Sequence, residues 1–191
     1  DKIFKELQQV AIQIAEKYPA PAFYQDFSDA VSASAQFFEQ DAVIADLREF
    51  VADNIENDYG HGLAHVHSVA LDAGALVMIE TGHARSAARE CARDIRLAQW
   101  AGLLHDIRRK EKDHAAAGSR YARILLGDYP FTEAEIEKIC LAIGNHEAFG
   151  TNERAGSESG RLLSDCLYDA DKFRWGPENF THTIWGMVSY L

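Results

Sequence analysis

His105 and Asp106 stand side by side at the end of the segment Leu97–Ile107, whose apolar positions Leu97, Ala98, Ala101 and Leu104 run at helical intervals straight into the histidine. The imidazole of His105 is thereby aimed at the interior. A second stripe, Ile136, Ile139, Cys140 and Ile143, ends in the same way on His146, one turn further on. A polar group carried into a core must find a partner or cost roughly 1–3 kcal/mol. A carbonyl can satisfy any single inward histidine, but several of them in one small chain point to mutual satisfaction or to a shared ion.

His61, His65 and His67 add a third group of imidazoles. Positions 61 and 65 share a helix face through their i, i+4 spacing, whereas 67 is turned roughly 200° away from 65 at ~100° per residue, so it is expected to be a bystander. Asp58 and His61 are placed to orient a ligand or touch a substrate, and a capping or solvated role fits them equally. The fourth group is Leu167-Tyr-Asp-Ala-Asp-Lys-Phe173, where Asp169 and Asp171 follow the apolar positions Leu162, Leu163, Cys166 and Leu167. Spacing does not choose between those two aspartates. Imidazole with carboxylate is a mixed N/O donor set that suits Mn, Fe, Co, Ni or Mg better than thiolate would.

The elements that must carry these residues all read as helices, and no period-two strand pattern stands out. Residues 2–18 place Ile3, Leu7, Val10, Ile14 and Tyr18 on one stripe, and Pro19-Ala-Pro21 stops it. A second helical region runs over 26–57, with Asp58-Tyr-Gly60 as its exit. Further patterns follow over 62–80, 86–107, 114–127, 133–148, 158–173 and 178–190, and Thr132 with Glu135 has the form of a capping box. Residues 149–160, rich in Gly, Ser and Asn, read as a surface loop that could act as a lid. The fold class expected is therefore all-α: one globular multi-helix bundle, with residues 1–57 as an N-terminal helical layer on a core spanning 58–191.

At 191 residues the chain suits one domain with a sizeable core. Its formal charge of −11 and lack of a long basic run argue against a nucleic-acid duplex as partner. A small phosphate ester stays open to it, because bound metal and local cations reverse the field within one cleft. Cys91, Cys140 and Cys166 form no Cys-x-x-Cys pair and fall in helical stretches, as reduced core thiols do. No run of about 18 consecutive apolar residues offers a membrane span, and the N-terminus lacks a signal-type apolar run, so the expectation is a cytoplasmic protein without a membrane partner.

With these residues in place, the chain resembles the HD superfamily of metal-dependent phosphohydrolases over about 60–173. His65-Val-His-Ser-Val69 matches the first motif, Leu103-Leu-His-Asp106 the second, and Asp169-Ala-Asp-Lys-Phe173 the last. The resemblance implies an HD/phosphodiesterase-like bundle in which His65, His105, Asp106 and Asp171 ligate one ion. It gives Asp169 the task of steadying a ligand or lysine, and Asp58 and Glu147 are read as supporting residues of the same kind. His114 and His146 stand where binuclear relatives carry ligands for a second ion. Only eight residues separate His105 from His114, fewer than such relatives usually have, so one ion is expected and a second is left open, with phosphate contact as the other role for His114.

The activity implied is hydrolysis of a phosphomonoester or phosphodiester, nucleotide-like substrates included, by metal-bound hydroxide. Asp106 would position the nucleophile or take its proton, with Lys172 as the first cation on the phosphate and Arg109 and Arg108 next. The stripe Arg85, Arg89, Arg93, Arg96, interleaved with Glu90 and Asp94, reads as a surface salt-bridge lattice. The aromatic segment 173–180 reads as core packing or as a roof over the cleft. Two rival readings are a di-iron oxygenase using the same six donors and a non-catalytic regulatory module.

Overall fold

The computed structural model describes residues 2–55, 62–82, 91–148, 155–173, 176 and 179–188. It is all-helical, with no strand among the described residues. The order is α1 (Lys2–Ala15), α2 (Ala22–Asp26), α3 (Ser28–Gln40), α4 (Ala42–Asn54), α5 (Leu63–Glu80), α6 (Ala92–Leu104), α7 (His114–Leu126), α8 (Glu133–Asn145) and α9 (Glu158–Lys172). A wider-wound π-helical turn, Asn179–Thr183, then runs into α10 (Ile184–Val188).

The single helical region expected over 26–57 is two helices, because Asp41 breaks it. Its backbone turns extended and its side chain accepts hydrogen bonds from Val43 N and Ile44 N at 3.0 Å, capping α4. α1 ends at Ala15, short of the expected stop at Pro19-Ala-Pro21, and Pro21 instead caps the start of α2 with a fixed φ of −51° already suited to a helix. The Thr132–Glu135 capping box is present in both directions at the start of α8. α6 ends at Leu104, earlier than the apolar pattern suggested, so His105 and Asp106 lie just beyond its last turn.

α5 is the centre of the bundle, packed against α3, α6 and α9. By length and composition it is also the one described helix that could cross a membrane, but its Val66, Val69, Ala70, Ala73 and Val77 are buried in the core. Small residues allow this crowding. A Cβ on Gly102 of α6 would stand 2.5 Å from Ala70 Cα, so the two backbones touch there. Trp100 is fully buried, with its ring edge-on to Tyr129 and Phe131 at centroid distances of 4.5 and 4.9 Å. Ile44, Leu47 and Val51 of α4 and Phe38 of α3 join this same core. Arg96 pairs with Asp41, and Arg93 with Glu135 and the Pro130 carbonyl, so these arginines tie helices together. Arg85, Arg89 and Glu90 lie outside the described residues.

A candidate metal centre where five helix ends meet

Five helices bring one terminus each to the same place. His65 lies in the first turn of α5, His114 opens α7, His105 and His146 cap the C-termini of α6 and α8, and Asp171 sits in the last turn of α9. Three of the five ends are C-termini, whose unsatisfied carbonyls carry partial negative charge and favour a cation nearby. The spacer 106–113 reaches across because it folds as successive turns, with Ile107 N donating to Leu104 O, Arg109 N to Asp106 O and Glu111 N to Arg108 O. Eight residues are therefore enough to bring His114 back to Asp106.

The helix ends also set the imidazole tautomers. His105 Nδ1 lies 2.7 Å from Gly102 O and His146 Nδ1 lies 2.6 Å from Ile143 O, each a carbonyl of the preceding last turn. A carbonyl can only accept, so Nδ1 carries the hydrogen in both rings and a neutral ring presents its Nε2 lone pair to the cluster. Arg109 Nη1 donates to His114 Nε2 at 2.7 Å, which fixes that nitrogen as an acceptor too.

The donor atoms fall into two sets joined by Asp106. On one side, His65 Nε2 lies 3.3 Å from His105 Nε2 and 3.3 Å from Asp171 Oδ1, and Asp106 Oδ2 stands 3.5 Å from His105 Nε2 and 3.8 Å from His65 Nε2. On the other, Asp106 Oδ1 is 3.5 Å from His146 Nε2 and 3.6 Å from His114 Nε2, and these two nitrogens are 3.2 Å apart. Most of these separations are too long for good hydrogen bonds. Neighbouring ligand atoms around an ion with bonds of ~2.1 Å stand roughly 3.0–3.5 Å apart, so the spacing suits donors that share a cation. All six residues are buried, and two groups, His65 with His105 and Asp171 and His105 with Asp106 and His146, are each close enough together to hold a metal ion.

The electrostatics agree with a demand for positive charge. Burial pushes His105 down to about 4, so it is neutral at pH 7. His114 is lowered by burial and by Arg109 beside it. Burial pulls His146 down as well, but the hydrogen bond and charge of Asp106 outweigh that and hold it above its ordinary value. Burial would raise Asp171, yet His65, His105 and Lys172 together keep its carboxyl well below the carboxylate range.

The cations divide. Arg109 reaches both Asp106 Oδ1, at 3.6 Å, and His114, and it is partly open to solvent. Lys172 donates to Asp171 Oδ2 at 2.6 Å and to the His146 carbonyl at 3.2 Å, which turns Asp171 Oδ1 toward His65. Arg108 faces elsewhere, with its guanidinium 4.0 Å over the Tyr121 ring and near Glu111. Asp169 and Glu147 are exposed, and the charge of Glu147 acts on His114, working against the lowering of that imidazole. Asp58 and His61 lie outside the described residues, as do residues 149–154 of the expected lid and most of the aromatic segment after Phe173. His67 points away from the cluster, edge-on to Phe38, with its Nε2 buried and unpartnered among the described residues.

Sequence reasoning did not identify the Gly102 and Ile143 carbonyls as tautomer-setting groups. The signal was available, since a histidine closing a helix stands three residues after an orphan carbonyl. It also passed over Asp72, a buried acid two turns along α5 on the face of His65, which accepts from the Tyr24 hydroxyl at 3.0 Å. Comparison with protein-family models, curated proteins and solved structures found no match for this chain.

Proposed function

We propose that this chain is a metal-dependent phosphohydrolase of the HD type, acting on a small phosphate ester at two divalent ions that share Asp106. The observation carrying the reading is the Asp106 carboxylate, which turns one oxygen toward His65 and His105 and the other toward His114 and His146. His65, His105, Asp106 Oδ2 and Asp171 would hold one ion, and Asp106 Oδ1, His114 and His146 the other. Divalent ions bound there supply neutralisation of phosphate charge and an attacking water of lowered pKa.

The remaining tasks fall to side chains. Asp106, common to both donor sets, orients the attacking water. Arg109, partly open to solvent, would give up its hydrogen bond to His114 Nε2 when that nitrogen takes the ion, and would bind the phosphate oxygens on the same side. Arginine suits this role because its fork of N–H donors matches the oxygens of a phosphate. Lys172 keeps Asp171 ionised and oriented rather than clamping substrate, since its ammonium is already engaged. Water attacks phosphorus and loses a proton to solvent, the P–O bond to the leaving group breaks, and the departing oxygen takes a proton from solvent to leave as the alcohol.

The test is metal-dependent release of nitrophenol from an aryl phosphate, and of phosphate from nucleotides, with Mn, Co, Ni or Mg supplied. Activity in the wild type that disappears in Asp106→Ala supports the proposal, and hydrolysis undiminished in that variant sinks it. Two irons per chain with oxygen consumption and no phosphate release would favour the oxygenase reading instead.

A further inference from the structure

α1 has no buried residue, yet it is strongly amphipathic, more so than any other described helix of eight or more residues. Its half-buried positions Gln8, Ala11, Ile12 and Ala15 lie on the side that meets the C-terminal π-helical turn, where Gln8 donates to Thr181 O at 2.9 Å. The opposite stripe is large, apolar and uncovered: Ile3 is 68 % exposed, and Leu7, Val10 and Ile14 are each about half exposed. These four recur at intervals of four, three and four residues, which is the alternating seam of a two-stranded coiled coil. A 14-residue helix is too short to be stable in water by propensity alone, so an uncovered apolar seam on it calls for a partner surface.

We propose that this seam is the contact through which two copies of the chain associate, helix α1 against helix α1. Charge favours a second copy as the occupant. In residues 1–17 the lysines 2, 5 and 17 balance Asp1, Glu6 and Glu16, so the whole formal charge of −11 resides in the rest of the chain. α1 is where two strongly acidic molecules meet without like-charge repulsion, whereas an anionic bilayer would repel the body behind it. The area is adequate. The exposed parts of Ile3, Phe4, Leu7, Val10, Ile14 and Tyr18 amount to roughly 600 Å² per copy, at the upper end of the largest patch on an ordinary monomer and approaching the ~800 Å² per partner of a standard interface.

The experiment is sedimentation velocity on the full chain over a dilution series from about 100 µM to 1 µM, since self-association follows mass action. The wild type should approach twice 21.3 kDa at the upper end and dissociate on dilution. Leu7→Asp with Val10→Asp should weaken association by roughly a hundredfold or more, because charges then enter the centre of the interface. Its melting temperature should match that of a wild-type sample dilute enough to be monomeric, as α1 contributes nothing to the core. Ile3→Asp with Ile14→Asp repeats the test independently should the first variant fold poorly. Wild type at 21.3 kDa throughout, or a dimer unmoved by either variant, overturns the proposal. So does a monomer that binds phosphatidylcholine vesicles through the same side chains, which would assign the seam to a lipid surface.

Discussion

Gly102→Ala is the substitution that most directly couples the packing of this fold to its donor cluster. Two effects oppose each other. Alanine in a helix interior gains roughly 1 kcal/mol over glycine. The new Cβ, however, would stand 2.5 Å from Ala70 Cα, 2.7 Å from Ala70 N and 3.0 Å from Ala70 Cβ, where unbonded carbons rest at about 3.5–4.0 Å. Backbone atoms cannot rotate aside, so α5 and α6 must part by about 1 Å, an overpacking cost of roughly 1–3 kcal/mol or more. Overpacking wins, and we expect a net loss of about 1–2 kcal/mol, or a melting temperature lower by about 2–8 °C for a chain of this size. The shift also moves the site, because Gly102 O holds His105 Nδ1 and because His65 and His105 lie on the two helices being separated. Metal affinity should fall about tenfold, as for lost support of a ligand. Calorimetry and a metal titration on wild type and variant measure both quantities. An unchanged or raised melting temperature together with unchanged metal affinity would refute the reasoning.

Two further outcomes follow from the ion pairs. Glu135 is held down at about 2, chiefly by its hydrogen bonds with Arg93. Its folded value is depressed, so its stabilisation is fully present above the ordinary carboxylate value and is lost as pH falls toward about 2. Glu135→Gln should therefore melt lower than wild type at pH 7, by a margin that shrinks toward pH 2; a margin independent of pH would show that the charge is not responsible. Lys172→Met should weaken metal binding by about tenfold by freeing Asp171 Oδ2, while Arg108→Met, whose side chain faces Tyr121, should leave it unchanged. Equal effects of the two substitutions in a metal titration would contradict the distinction.

The helices were legible because apolar spacing at three and four residues dominates this sequence, and Thr132 with Glu135 marked a boundary outright. The break at Asp41 was not, since residues on both sides of it keep helical spacing and only the aspartate's side-chain bonds reveal the cap. The inward direction of His105 and His146 could be read from the stripes they end. What could not be read was how the ends assemble. Asp106 facing two donor sets depends on the turns of 106–113, and the engagement of Lys172 depends on the exit of α8 passing beside α9. Arg108 and Arg109 are neighbours in sequence, and the turn between them sends one to Tyr121 and the other to His114.

Metal stoichiometry tests the central claim most directly. The wild type, stripped with chelator, reconstituted with Mn or Co and freed of excess ion, should retain two ions per chain by elemental analysis. His114→Ala should retain one, and Asp106→Ala should retain neither at comparable affinity. A wild type that binds no divalent ion, or an Asp106→Ala protein that keeps both, would contradict the account.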